Sequence, residues 1–179
     1  MLRLRPYKSC DAKRIVTWHK DEKTFLYWGG SLIGAFPLSP EQLDDMYTNK
    51  NGLCEEEDNF YPMTAFDDDG IVGSFIMRYI KGDKKKLRFG WVINDPEKRG
   101  KGYGKAMLQL GFLYAFKVLH ADKVTIGVYE DNLPAYKCYE SIGFHKGGEL
   151  EDHYEDVLGE KCKVVELEIK KEEWQCECH

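Results

Sequence analysis

No run of apolar residues in this 179-residue chain approaches the roughly 18 to 20 that a bilayer core demands. The opening Met1-Leu2-Arg3-Leu4-Arg5-Pro6 also lacks the apolar h-region of a secretory leader. A soluble, cytoplasmic protein without a membrane partner is expected. Cysteine pairs at zinc spacing are missing too: the six cysteines stand at 10, 54, 138, 162, 176 and 178, and none forms a C-x-x-C pair. They read as reduced thiols. The closing set Cys176, Cys178 and His179 reads as adventitious rather than as a metal centre. Excess positive charge is absent as well. With 26 Lys and Arg against 31 Asp and Glu, the formal net charge is -5 and the isoelectric point about 5.6. That balance excludes a general nucleic-acid binder, which needs a net basic face for the phosphates. Repeats and low-complexity linkers do not occur, so one domain over residues 1–179 is expected, long enough to bury a core without metal or disulfide support.

What is present is a sequence of strand and helix signals. Leu2 to Arg5 alternates apolar and basic residues and stops at Pro6, as a first or edge strand does. Ser9 or Asp11 can cap a helix that carries Ile15 and Trp18 on its apolar face, and Phe25-Leu26-Tyr27-Trp28 is a dense aromatic group ended by Gly29-Gly30. Ser39-Pro40-Glu41-Gln42 opens a helix running to about Lys50. Strands over 60–66 and 71–80 flank the hairpin residues Asp67-Asp68-Asp69-Gly70, and a turn at Lys81-Gly82-Asp83 leads to a strand over 87–93. The basic run Lys84 to Arg88 belongs to that turn as solvated charge. A helix over about 103–119, a strand over 124–129, a helix over 132–142, a strand over 143–149 and a last strand from Lys163 to Ile169 follow. The sum is an α/β (mixed α+β) fold with a mostly antiparallel mixed central sheet flanked by helices.

The most informative stretch is Arg99-Gly100-Lys101-Gly102-Tyr103-Gly104, between an apolar strand and a helix. Glycines there permit positive φ and keep Cβ atoms out of the way, so backbone N–H groups can converge on an anion. The free N–H groups of the next helix's first turn add to that attraction. Arg99 and Lys101 bring mobile positive charge. The stretch is a pyrophosphate cradle of neither common kind. A P-loop needs Ser or Thr after Gly-Lys, and Ala106 stands there; a dinucleotide fingerprint needs a third glycine at position 107, which is Met.

Arg99-x-x-Gly102-x-Gly104 resembles the acyl-CoA-binding motif of the GNAT superfamily of N-acetyltransferases. Downstream, Asn132-Leu133-Pro134-Ala135-Tyr136-Lys137-Cys138-Tyr139-Glu140-Ser141-Ile142-Gly143-Phe144 is similar to the family's second motif in order and spacing. The resemblance implies a GNAT-like fold whose cradle strand and following strand splay apart, with acetyl-CoA as the acetyl-donor cosubstrate lying between them. Val92, Ile93 and Asn94 would then pair with its pantetheine arm, and Arg99, Gly100, Lys101, Gly102, Tyr103 and Gly104 would hold its pyrophosphate. Asn132 would cap the next helix, contact the cofactor, or both. A β-bulge, expected at Trp91-Val92, would free a backbone N–H to polarise the thioester carbonyl. Tyr139 corresponds to the family's usual general acid, placed to protonate the departing sulfur; core packing is its competing role.

The implied activity is acetyl-CoA-dependent transfer to a primary amine of a small molecule or a protein N-terminus, directly within a ternary complex. The alternative is a non-catalytic acyl-CoA-binding or sensor domain of the same fold. The amine must shed a proton before attack, and no motif names the base; Asp95, Glu130 and Asp131 are candidates by proximity alone. Cys138 as an acyl-carrying nucleophile competes with Cys138 as packing. Tyr27, Trp28, Phe75 and Met77 are candidates for the acceptor pocket, with core as their alternative. The acidic balance favours a cationic amine such as a polyamine. A homodimer is an open assembly state.

Overall fold

The computed structural model describes residues 1–174, so the Cys176, Cys178 and His179 tail lies outside the described residues. Strand β1 (Arg3–Pro6) is followed by a short irregular helical segment around α1 (Ala12–Ile15), then by α2 (Glu22–Gly29) and α3 (Pro40–Thr48). Asp21 and Thr24 close a capping box on α2, and Ser39 and Gln42 close one on α3, satisfying N–H groups that helix starts leave free. The aromatic group Phe25 to Trp28 therefore lies within a helix that its own residues did not announce.

Strands β2 (Tyr61–Asp67), β3 (Gly70–Ile80) and β4 (Asp83–Asn94) form the expected meander. Helix α4 (Tyr103–Leu113) continues into a wider turn over Tyr114–Val118, and β5 (Lys123–Tyr129), α5 (Leu133–Glu140), β6 (His153–Val157) and β7 (Glu160–Lys170) complete the chain. The sheet has seven strands in the order β1-β2-β3-β4-β5-β7-β6, and only the β4–β5 pair is parallel. Among the described residues, no helix is long and apolar enough to cross a membrane.

One expected element is corrected. Residues 143–149 make no strand; a single bridge, His145 to Glu168, is all that pairs there. Gly143 and Gly147 both take positive φ, +104° and +99°, which bends the chain out of an extended ladder. The outer strand is instead β6, whose residues are nearly all exposed and so carry no apolar alternation to announce it.

The two faces of the sheet have separate cores. Phe75, Met77, Leu87 and Phe89 pack with Met107, Leu108 and Phe112 of α4 and with Tyr139 of α5. On the opposite face, Ile15, Trp18, Phe25, Trp28, Leu43 and Tyr47 pack over Ile76 and Ile93.

Candidate active site

The site is built by an interruption in β4. Ser74 of β3 faces Ile93 and Ile76 faces Gly90, so Phe75 alone spans Trp91 and Val92. That is a β-bulge, at the expected position. Its effect on the side chains is a change of face. Leu87 and Phe89 point to the α4 core, and regular alternation would send Trp91 and Ile93 after them; the extra residue puts both in the opposite core and turns Val92 toward α4. Trp91 takes φ +46°, a conformation that costs a bulky residue about 1–2 kcal/mol. An aromatic box offsets it: Tyr47 stacks on Trp91 at 5.8 Å and 9°, and Phe60 meets it edge-on at 5.6 Å. The Trp28 indole N–H donates to the Trp91 carbonyl at 2.7 Å.

Beyond the bulge the sheet opens. The β4–β5 ladder runs from Lys86–Lys123 to Phe89–Ile126 and stops, while β5 stays paired with β7 through Tyr129. The β5-facing edge of Gly90 to Asn94 is thereby left without a strand partner, and Val92, Ile93 and Asn94 lie along it.

The glycine turn closes the same end of the cleft. Gly100 and Gly102 take φ +77° and +79°, and a Cβ on either would meet no atom within 4 Å, so the turn faces open space. Gly104 is different. Its φ is ordinary, and a Cβ there would lie 2.9 Å from Asn94 Nδ2 and 3.8 Å from Cys138 Sγ, so the absent side chain lets the start of α4 sit against β4 and α5. Of the two properties that single out glycine here, Gly100 and Gly102 use the positive φ and Gly104 the missing Cβ.

The first bond of α4 runs from Ala106 N–H to the Gly102 carbonyl at 3.0 Å, leaving Tyr103, Gly104 and Lys105 N–H groups without an intrahelical acceptor. Asp67 anchors the turn, accepting from the Tyr103 hydroxyl at 2.7 Å and from Lys98 Nζ at 3.1 Å; these bonds hold its carboxyl well below the usual range. Tyr103 therefore turns its hydroxyl to Asp67 and leaves only its backbone to the cradle. Arg14 occupies Asp95 and Glu97, so the exposed Arg99 and Lys101 have no carboxylate partner among the described residues. Free N–H groups, open space in front of glycines and two unpaired cations fit a pyrophosphate.

Helix α5 packs against the start of α4 through Cys138 and carries Tyr139 as the next residue. Its ring is buried, edge-on to Phe144 at 6.1 Å. The hydroxyl has no hydrogen-bond partner among the described residues, and it is not among the chain's sealed, orphaned polar atoms. Burial pushes the phenol above its ordinary pKa, so it stays protonated as a donor must. Asn132 stands at the start of α5 without a side-chain cap bond, so its amide is uncommitted. Burial raises the Cys138 thiol, only partly opposed by the Lys105 charge, which suits packing and not nucleophilic attack.

Several sequence candidates are placed elsewhere. Phe75 and Met77 are fully buried in the α4 core and line no pocket. Asp95 is buried, paired with Arg14 at 2.9 Å and accepting the Glu97 N–H at 3.0 Å, so it is committed to the turn that leads into the cradle. Glu130 meets Lys163 at 3.2 Å. Asp131 accepts the Tyr27 hydroxyl at 2.6 Å, and Tyr27 stacks on Tyr129 at 4.1 Å, which ties both to the end of β5 that has parted from β4. His19 went unnoticed in the sequence. It is buried against Trp28, ring centroids 4.4 Å apart, and burial with the nearby Arg99 charge lowers its pKa to about 4.

Comparison with known proteins agrees with this geometry. The acetyltransferase (GNAT) domain family matches residues 1–145. The chain is similar to an uncharacterized N-acetyltransferase of the SPbeta prophage of Bacillus subtilis, 33% identical over 147 residues, covering 69% of this chain and 82% of that protein. It is also similar to an N-acetyltransferase 9-like protein of Caenorhabditis briggsae, 24% identical over 189 residues and 91% of each. Its fold is that of spermidine N-acetyltransferase from Vibrio cholerae, solved in complex with CoA and spermine, at TM-score 0.77, 21% identity and 96% coverage of both chains. The chain belongs to the GNAT family: it is an N-acetyltransferase, and its acetyl donor is acetyl-CoA.

Proposed function

We propose that this chain acetylates a small cationic primary amine, of polyamine type, by direct transfer within a ternary complex. The observation that carries the reading is the parting of β4 and β5 next to a turn of unpartnered N–H groups. The polyamine class rests on the names of relatives, among them a spermidine N(1)-acetyltransferase of Vibrio cholerae that is 24% identical over 86% of this chain, and on the net charge of -5.

Each group then has a task. Arg99, Gly100, Lys101, Gly102, Tyr103 and Gly104 hold the pyrophosphate, chiefly through backbone N–H groups and the charges of residues 99 and 101. The free edge of Val92, Ile93 and Asn94 pairs with the pantetheine amides, and Asn132 offers its uncommitted amide from the opposite wall. The bound donor supplies an activated thioester carbonyl. A β4 N–H at the bulge meets that carbonyl oxygen and stabilises the charge that grows there. Tyr139 gives its proton to the sulfur as the carbon–sulfur bond breaks and regains one from water; the amine nitrogen loses one proton before attack and a second as the amide forms, both passing to water at the cleft end near Tyr27 and Asp131.

The test is a panel of spermidine, spermine, an aminoglycoside and a peptide with a free N-terminus, read by CoA release and product mass. Turnover confined to the peptide overturns the polyamine class. CoA release without an acetylated amine overturns the transfer.

A further inference from the structure

Helix α2 touches both of the strands that part. Trp28 binds the Trp91 carbonyl of β4, and its neighbour Tyr27 stacks on Tyr129 of β5 and donates to Asp131 just beyond that strand. Consecutive residues of one helix thus span the opening of the cleft. Resting on the reading of the site given above, we propose that Trp28 is a positioning residue for acetyl transfer: by holding the Trp91 carbonyl it aims the Val92 N–H at the thioester oxygen.

The tie acts through peptide geometry. A trans peptide group is planar, and its C=O and N–H point in opposite directions. Fixing the Trp91 carbonyl toward α2 therefore fixes the Val92 N–H away from α2. Without the clamp, a peptide next to a positive-φ residue has an alternative orientation close at hand, because the left-handed conformation of Trp91 is disfavoured in itself. The clamp is built to be rigid. Its N···O distance is 2.7 Å, Trp28 is buried, and His19 and Phe25 pack on its ring at 4.4 Å and 6.1 Å.

Filling the core does not explain the bond. Trp18 lies in the same core, buried at least as deeply, and its indole nitrogen has no hydrogen-bond partner among the described residues. A tryptophan in this layer needs no acceptor in order to pack. The tie at Trp28 joins residues 63 apart in sequence and lands on the peptide group within the bulge that faces Phe75.

The experiment replaces the donor and keeps the shape. In Trp28→3-benzothienylalanine, sulfur stands where the indole N–H was; Trp28→Phe is the simpler companion. Two readouts apply: the Val92 amide resonance with acetyl-CoA compared with CoA, and kcat and KM for acetyl-CoA with the amine that the panel identifies. In the parent, the acetyl group should shift the Val92 amide. In the variant that shift should fall to a third or less, with kcat down roughly ten- to hundredfold and KM within about twofold, since losing an oxyanion donor outright costs about 10²–10³ in kcat and mis-aiming one costs less.

A variant with the full Val92 shift and kcat within twofold of the parent overturns the proposal. So does a loss in which KM rises in step with the fall in kcat, because that marks a merely structural role. A parent whose Val92 amide ignores the acetyl group overturns the assignment of the bulge itself, a failure seen before any variant is made.

Discussion

Replacing Tyr139 by Phe should move stability and activity in opposite directions. The ring is buried against Phe144 and the α4 core, and Phe keeps all of that packing. The hydroxyl has no protein partner among the described residues, so its removal breaks no hydrogen bond and relieves whatever desolvation it suffers. The expected change is therefore between zero and about +1 kcal/mol of stability, or an unchanged to slightly raised Tm, at roughly 2–4 °C per kcal/mol for a chain of this size. Activity should fall. General acid catalysis is typically worth about 10²–10⁴, so kcat should drop by roughly that factor, with acetyl-CoA affinity held within about twofold because the proton is needed only as the sulfur departs. Calorimetric unfolding, acetyl-CoA titration and steady-state kinetics on one preparation read all three quantities. A Tm loss of several degrees would show that the hydroxyl has a structural partner. Turnover within threefold of the parent would refute the general-acid role, and an acetylated Cys138 trapped by mass spectrometry would refute direct transfer.

Gly102→Val should abolish acetyl-CoA binding and leave the fold largely intact, since the side chain enters open space at φ +79°, whereas Gly104→Ala should cost tenfold or less because only the Asn94 side chain must give way; calorimetric titration separates them. Arg99→Ala should weaken acetyl-CoA binding, and the loss should shrink as salt rises, because an exposed charge acts on the phosphates through a screened field; equal affinities at low salt would remove Arg99 from the site. His19 makes a pH prediction. Its folded-state pKa of about 4 lies below the ordinary 6.5, so the unfolded chain takes up the proton first. Stability from this group is complete above about pH 6.5 and declines toward pH 4 by up to about 3 kcal/mol. Denaturant unfolding of His19→Gln should lack that decline, and identical profiles would refute it.

Local signals in the sequence were enough for the meander, the α3 start and the cradle. Asp67 to Gly70 must turn, Ser39-Pro40 must open a helix, and glycines at 100 and 102 must admit a backbone that other residues resist; each is a property of neighbours in the chain. The family followed from the spacing of the Arg99–Gly104 and Asn132–Phe144 motifs. Tertiary structure decided the rest. The edge strand β6 has no buried face to impose a period, so its place depends on pairing with β7. Gly104 has an ordinary φ, and only the approach of Asn94 and Cys138 explains it. Asp95 looked like a candidate base until Arg14, 81 residues away, was seen to hold it. The bulge at Trp91 could be anticipated from the family pattern, but what keeps it in place could not: its carbonyl is held by a residue 63 positions earlier, and a bond between distant segments leaves no mark on the spacing of either.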